Sequence, residues 1–173
     1  MILTKIEVAQ RQLDVAVRMY FHHDDEVSIH TLAASGRNVL VDLCRKKGLE
    51  PPMLLDAMVK TYIKPEHQKA VRDTARAAEN FFKHADKDPE DSYDFPVGST
   101  AFKLFEGVEA FQALNGKLSP VMNVFRAWWL VQNKDAVSDD APQQFHDALA
   151  GLEFHDDERP TFFARLMQAQ GAR

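Results

Sequence analysis

Ser28-Ile29-His30-Thr31-Leu32-Ala33-Ala34-Ser35-Gly36-Arg37-Asn38-Val39-Leu40-Val41-Asp42-Leu43 is the stretch that decides the fold. Its apolar residues Ile29, Leu32, Ala33, Gly36, Val39, Leu40 and Leu43 recur at steps of three and four, the period of a helix with one buried face. The stripe closes at Gly48, after Arg45-Lys46-Lys47, cations that suit a helix C-terminus. Ala33-Ala34-Ser35-Gly36 is small enough for a second helix to approach closely. Another helix lies just upstream, where Ile6, Ala9, Leu13, Ala16, Val17 and Tyr20 mark about five turns ending near His22 and His23. Asp24-Asp25-Glu26 then supply carboxylates for the next N-terminus, so the two helices read as an antiparallel hairpin.

The same period continues downstream. Pro51-Pro52 breaks the chain, Met53 to Ile63 reads as a shorter helix, and Pro65 opens a long one expected to reach His84. Residues 87 to 98 are polar and turn-rich, a candidate lid or hinge. A helix follows from Ser99 to Asn115, with Leu104, Phe105, Val108 and Phe111 inward. Another runs from Pro120 to Gln132, capped by Ser119. Only Asn123, Arg126 and Gln132 interrupt its apolar surface, which marks a central helix or one face of a homodimer. Arg126 there either meets a carboxylate partner or a bound anion, or packs its stem on apolar surface and extends the guanidinium to water. Short helices near Pro142 to Leu152 and Pro160 to Gln170 complete the chain. No segment alternates with period two, so the expected fold is all-α: a single-domain, bundle-like array of about seven or eight helices over residues 1–173.

Composition narrows the function. The hydrophobic fraction of 45% and charged fraction of 27% are those of a globular domain. A net charge of -5 without a basic stripe argues against DNA binding, because phosphate affinity comes from clustered Lys and Arg. The single Cys44 rules out a disulfide framework, and no apolar run approaches the ~20 residues of a membrane span. A cytoplasmic protein with no membrane partner is the expectation.

Chemistry concentrates at helix ends. Asn80-Phe81-Phe82-Lys83-His84-Ala85-Asp86-Lys87-Asp88-Pro89 runs from a helix into His and Asp, and His22-His23-Asp24-Asp25-Glu26 with His30 forms a second such cluster. Imidazole and carboxylate both bind divalent metals, and together they make a general base. Extension of the first helical stripe turns His23 inward. His23, His30, His84 and Asp86 are therefore the candidate metal ligands, with Asp24, Asp25 and Asp88 in reserve. His84 and Asp86 are the candidate catalytic pair, and a divalent metal is the candidate cofactor. No His-Glu-x-x-His, paired Cys or phosphate-loop motif accompanies them. Arg76, Asn80 and His84 share one polar row at steps of four.

The segment from Glu79 to Pro89, with the hairpin around Ser28-Ile29-His30-Thr31-Leu32-Ala33-Ala34, resembles a group of uncharacterised bacterial all-helical proteins. Glu79-Asn80-Phe81-Phe82-Lys83-His84 also resembles the Arg-polar-x-x-x-His motif of HEPN proteins, helical domains that include RNases and nucleotide-binding toxin components. That resemblance implies a diverged RNA- or nucleotide-binding protein. Glu79 holds the motif's arginine position, and Arg76 lies eight residues before His84, about 12 Å along a helix axis. The residues themselves point first to a noncatalytic helical binding or interaction protein whose ligand is unassigned, and second to a metal-assisted hydrolase using His84, Asp86, His23 and His30.

Overall fold

The computed structural model describes residues 1–50, 59–84, 86, 89–136, 143, 146–147 and 154–171. Its helices are α1 (Lys5–Phe21), α2 (Glu26–Lys46), α3 (Pro65–Ala75), α4 (Ala77–Lys83), α5 (Ser99–Asn115), α6 (Pro120–Gln132) and α7 (Arg159–Ala169), with short 3-10 turns at Lys134–Ala136 and Asp156–Glu158. Residues 59–62, 143 and 146–147 are also helical, and no strand occurs among the described residues. The fold is all-α. The helix expected from Met53 lies outside the described residues up to position 58, as does most of the one expected from Pro142.

Local chemistry sets the boundaries. Thr4 and Glu7 form a reciprocal capping box at the start of α1, with Thr4 N donating to Glu7 Oε2 at 2.7 Å. The Asp25 carboxylate accepts from Ser28 N at 2.8 Å and starts α2. Ser119 Oγ accepts from Met122 N at 3.2 Å ahead of Pro120, while Gly116, at φ 75°, ends α5 in the left-handed conformation. The long helix expected from Pro65 to His84 is instead two. Arg76, at φ -102° and ψ -1°, interrupts it between α3 and α4.

The turn between α1 and α2 and the hydrogen bond from Gln12 Nε2 to Ser35 Oγ at 3.0 Å confirm an antiparallel hairpin. Both helices also pack on α5. A Cβ on Gly36 would lie 3.0 Å from Leu13 Cγ and 3.1 Å from the Ala9 carbonyl, and one on Gly107 would lie 2.9 Å from Leu13 Cδ2. The fully buried Leu13 thus sits between two helical glycines, one on α2 and one on α5. The small-residue run does allow close approach, as its sequence suggests. Phe21 anchors the other end of the core, with ring centroids 5.9 Å from Trp128 and 4.9 Å from Phe163. Val121, Met122, Val124, Phe125, Trp128 and Val131 are buried, so α6 is a central helix. Among the described residues no helix is long and apolar enough to cross a membrane.

Gly36→Ala should lower the unfolding free energy by about 1–3 kcal/mol, because the added methyl meets backbone as well as Leu13. Gly107→Ala should cost less, since its methyl meets mainly the movable end of Leu13 and gains helix propensity of up to ~1 kcal/mol. Urea denaturation of both variants measures the difference.

Candidate functional site

The fold scatters the expected ligands. His23 follows the end of α1 at φ 56° and is exposed, because the helical period that would turn it inward stops at Phe21. His22, the C-cap, lies instead with its ring 5.9 Å from Phe163. His84 leaves α4 in extended backbone, φ -131° and ψ 122°, and is exposed, as is Asp86. Asp24 is exposed, Asp25 serves as the cap of α2, and Asp88 lies outside the described residues. Arg76, Asn80 and His84 all face solvent. Among the described residues no three His, Cys, Asp or Glu side chains form a metal-holding group. His23, His30, His84 and Asp86 are therefore not gathered into one ligand set.

His30 is different. At 1% exposure it lies inside a polar layer where α2, α4 and α5 meet. Arg37 Nε donates to Glu106 Oε2 at 3.0 Å, and both side chains are buried. Lys103 Nζ lies 2.8 Å from Glu79 Oε1, also buried on both sides. Asn38 joins the pairs: its Nδ2 donates to Glu79 Oε2 at 2.9 Å and its Oδ1 accepts from Arg37 Nη1 at 2.9 Å. Two cations and two carboxylates thus neutralise one another out of water, as buried charges must. Burial pushes the Glu79 carboxyl up, but the Lys103 hydrogen bond and charge, with Asn38 and Arg37, outweigh it and hold the group below its ordinary value.

Two neighbouring clusters follow the same rule. Arg159 is paired with Asp156, donates through Nη1 to the Tyr20 carbonyl at 3.1 Å, and stacks over the Tyr20 ring at 4.2 Å, closing the C-terminus of α1. Arg126 Nε meets Glu109 Oε1 at 3.1 Å, with the arginine side chain still partly open to water.

His30 has no such counter-charge. Its Nδ1 lies 3.3 Å from Thr100 Oγ1, while its Nε2 is buried with no hydrogen-bond partner. Burial, then the Lys103 charge, push the imidazole below its ordinary value, against the opposing pull of Glu79; Lys83 adds to the downward push. The Glu26 carboxyl, near Thr100, is raised by burial against the nearby Arg159. When Thr100 Oγ1 accepts from His30 Nδ1, Nε2 keeps a lone pair; when Thr100 donates to Nδ1, Nε2 carries the N–H. The imidazole is walled by Phe82 and Phe95, with centroids 5.8 Å and 5.1 Å away and near-perpendicular planes.

No protein-family model, curated protein or solved structure matches this chain. The site must be read from its own chemistry. Sequence spacing identified His30 and passed over Arg37, Asn38, Glu79, Thr100, Lys103 and Glu106. The residues Lys103 and Glu106 flank the apolar stripe of α5 at i and i+3, a pattern shared with ordinary solvated helix edges. Only the tertiary approach of α2 and α4 shows that they are inside. Glu79, at the arginine position of the HEPN-like motif, is committed to Lys103 and Asn38.

Lys103→Met strands the Glu79 carboxylate and should cost about 3–5 kcal/mol; Lys103→Met combined with Glu79→Leu should recover most of that loss in urea denaturation. His30 adds a pH dependence. Its folded pKa is depressed, so between that value and the unfolded value of about 6.5 the unfolded chain binds the extra proton. Stability should therefore fall as pH drops below about 6.5, and His30→Asn should flatten that part of the curve.

Proposed function

We propose that this chain is a noncatalytic helical binding protein whose ligand contacts the α2–α4–α5 face around His30. One observation carries this reading. Among the described residues the buried Arg37, Glu79, Lys103, Glu106 and Arg159 are all ion-paired, whereas His30 is buried without an ion pair and its Nε2, like one oxygen each of Gln12, Glu26, Ser99 and Glu106, has no hydrogen-bond partner. Buried polar atoms rarely stay unpartnered, so an exception calls for a partner from outside the chain. The paired charges supply rigidity around it. The exposure of His84 and Asp86 leaves the hydrolase reading without an enclosed site.

A thermal-shift screen of small polar and aromatic compounds, divalent metals and nucleotides tests this reading. A ligand of the proposed kind raises the melting temperature in the presence of a chelator. At about 100 times its dissociation constant the rise should be roughly 5–10 °C, unchanged by His84→Ala and lost in His30→Leu. Stabilisation by a divalent metal that His84→Ala abolishes would instead establish the metal-dependent alternative.

A further inference from the structure

The wall over His30 is not built uniformly. Phe82 belongs to α4, but Phe95 belongs to the irregular segment Pro89 to Gly98. Phe95 is only half-buried, and its ring packs 5.1 Å from His30 and 5.1 Å from Phe82. Two residues earlier, Tyr93 stacks on Phe81 at 5.5 Å. Among the described residues no hydrogen bond or ion pair ties residues 89–95 to the helices; the local bonds Ser99 N to Pro96 O and Thr100 N to Val97 O begin only at the entry to α5. Among the described residues its ties to the helices are the ring contacts of Tyr93 and Phe95. Its Phe95 covers a histidine that has a hydrogen bond to give and receives none from a hydrocarbon ring.

From this mismatch we infer that the recess formed by His30, Thr100 and Phe82 is a binding site for a small phenol, which enters in place of Phe95 and hydrogen-bonds His30 Nε2. The inference rests on the binding-protein reading above and names its ligand class. A flat aromatic ring is what the recess already accepts. A ring hydroxyl is the matching polar group because it donates to Nε2 when Thr100 accepts from Nδ1, and accepts from Nε2 when Thr100 donates to Nδ1. No ionised group is required of the ligand. Of the charged groups near the recess, Glu79 and Lys103 are paired with each other and Lys83 is exposed to water, so a buried carboxylate would gain only a solvent-screened partner. Phe95 acts as a tethered competitor. It keeps the recess filled until the ligand's extra hydrogen bond displaces it.

Titration of the full chain with p-cresol and with toluene, followed through the His30 imidazole resonances, tests the proposal. In the wild type, p-cresol should shift His30 saturably and bind roughly 2–10-fold tighter than toluene, the worth of one hydrogen bond. Phe95→Ala, at a half-exposed position, should tighten p-cresol about tenfold, the gain from removing a plug seated about nine-tenths of the time. Equal binding of the two compounds, no shift at His30, or an affinity unchanged by Phe95→Ala would each overturn it, and the wild-type titration decides the first two even if the variant is unstable. A null result alongside a metal-independent ligand from the thermal-shift screen removes the phenol assignment alone. Null results in both remove the binding reading itself.

Discussion

The pairing of Glu79 with Lys103 and of Arg37 with Glu106 constrains everything near the candidate site. These four charges come from three helices, and each would be prohibitively costly to bury alone. They therefore fix α2, α4 and α5 against one another with an orientation that apolar packing, which tolerates sliding, does not specify by itself. Asn38 links the two pairs into one network, so the registers of α2, α4 and α5 are set together. Leu13, seated between Gly36 and Gly107, brings α1 to the same α2–α5 seam.

His30 takes its properties from that frame. The network places Lys103 near the imidazole and keeps Glu79 occupied elsewhere, so the ring has no carboxylate to share a proton with. Its one hydrogen bond is to Thr100 at the start of α5, and the direction of that bond decides whether Nε2 offers a donor or an acceptor.

Much of the fold was legible in the sequence because helices announce themselves locally. The stripe from Ile29 to Leu43, the caps at Asp25 and Ser119, and Pro at Pro65 and Pro120 all report interactions within a few residues. The break at Arg76 was not legible, since the helical pattern runs through it uninterrupted. Extending the α1 stripe to His23 failed for the opposite reason: periodicity has no meaning once the helix has ended. The site was legible only at His30. Glu79 and Lys103 are each ordinary charged helix residues in sequence, and their significance is a contact between positions far apart in the chain. Arg126 was a partial success, because a carboxylate was one of the partners its apolar surroundings allowed, though nothing local named Glu109.

Imidazole nitrogen NMR of the histidines between about pH 5 and 8 tests the central claim most directly, namely that His30 is enclosed, uncharged and without a counter-ion. The account predicts that at about pH 6 the His30 ring is a single neutral tautomer that titrates below the ordinary value of about 6.5, with its ring proton exchanging slowly with water. A His30 ring that titrates at or above the ordinary value, with rapid proton exchange, would contradict it.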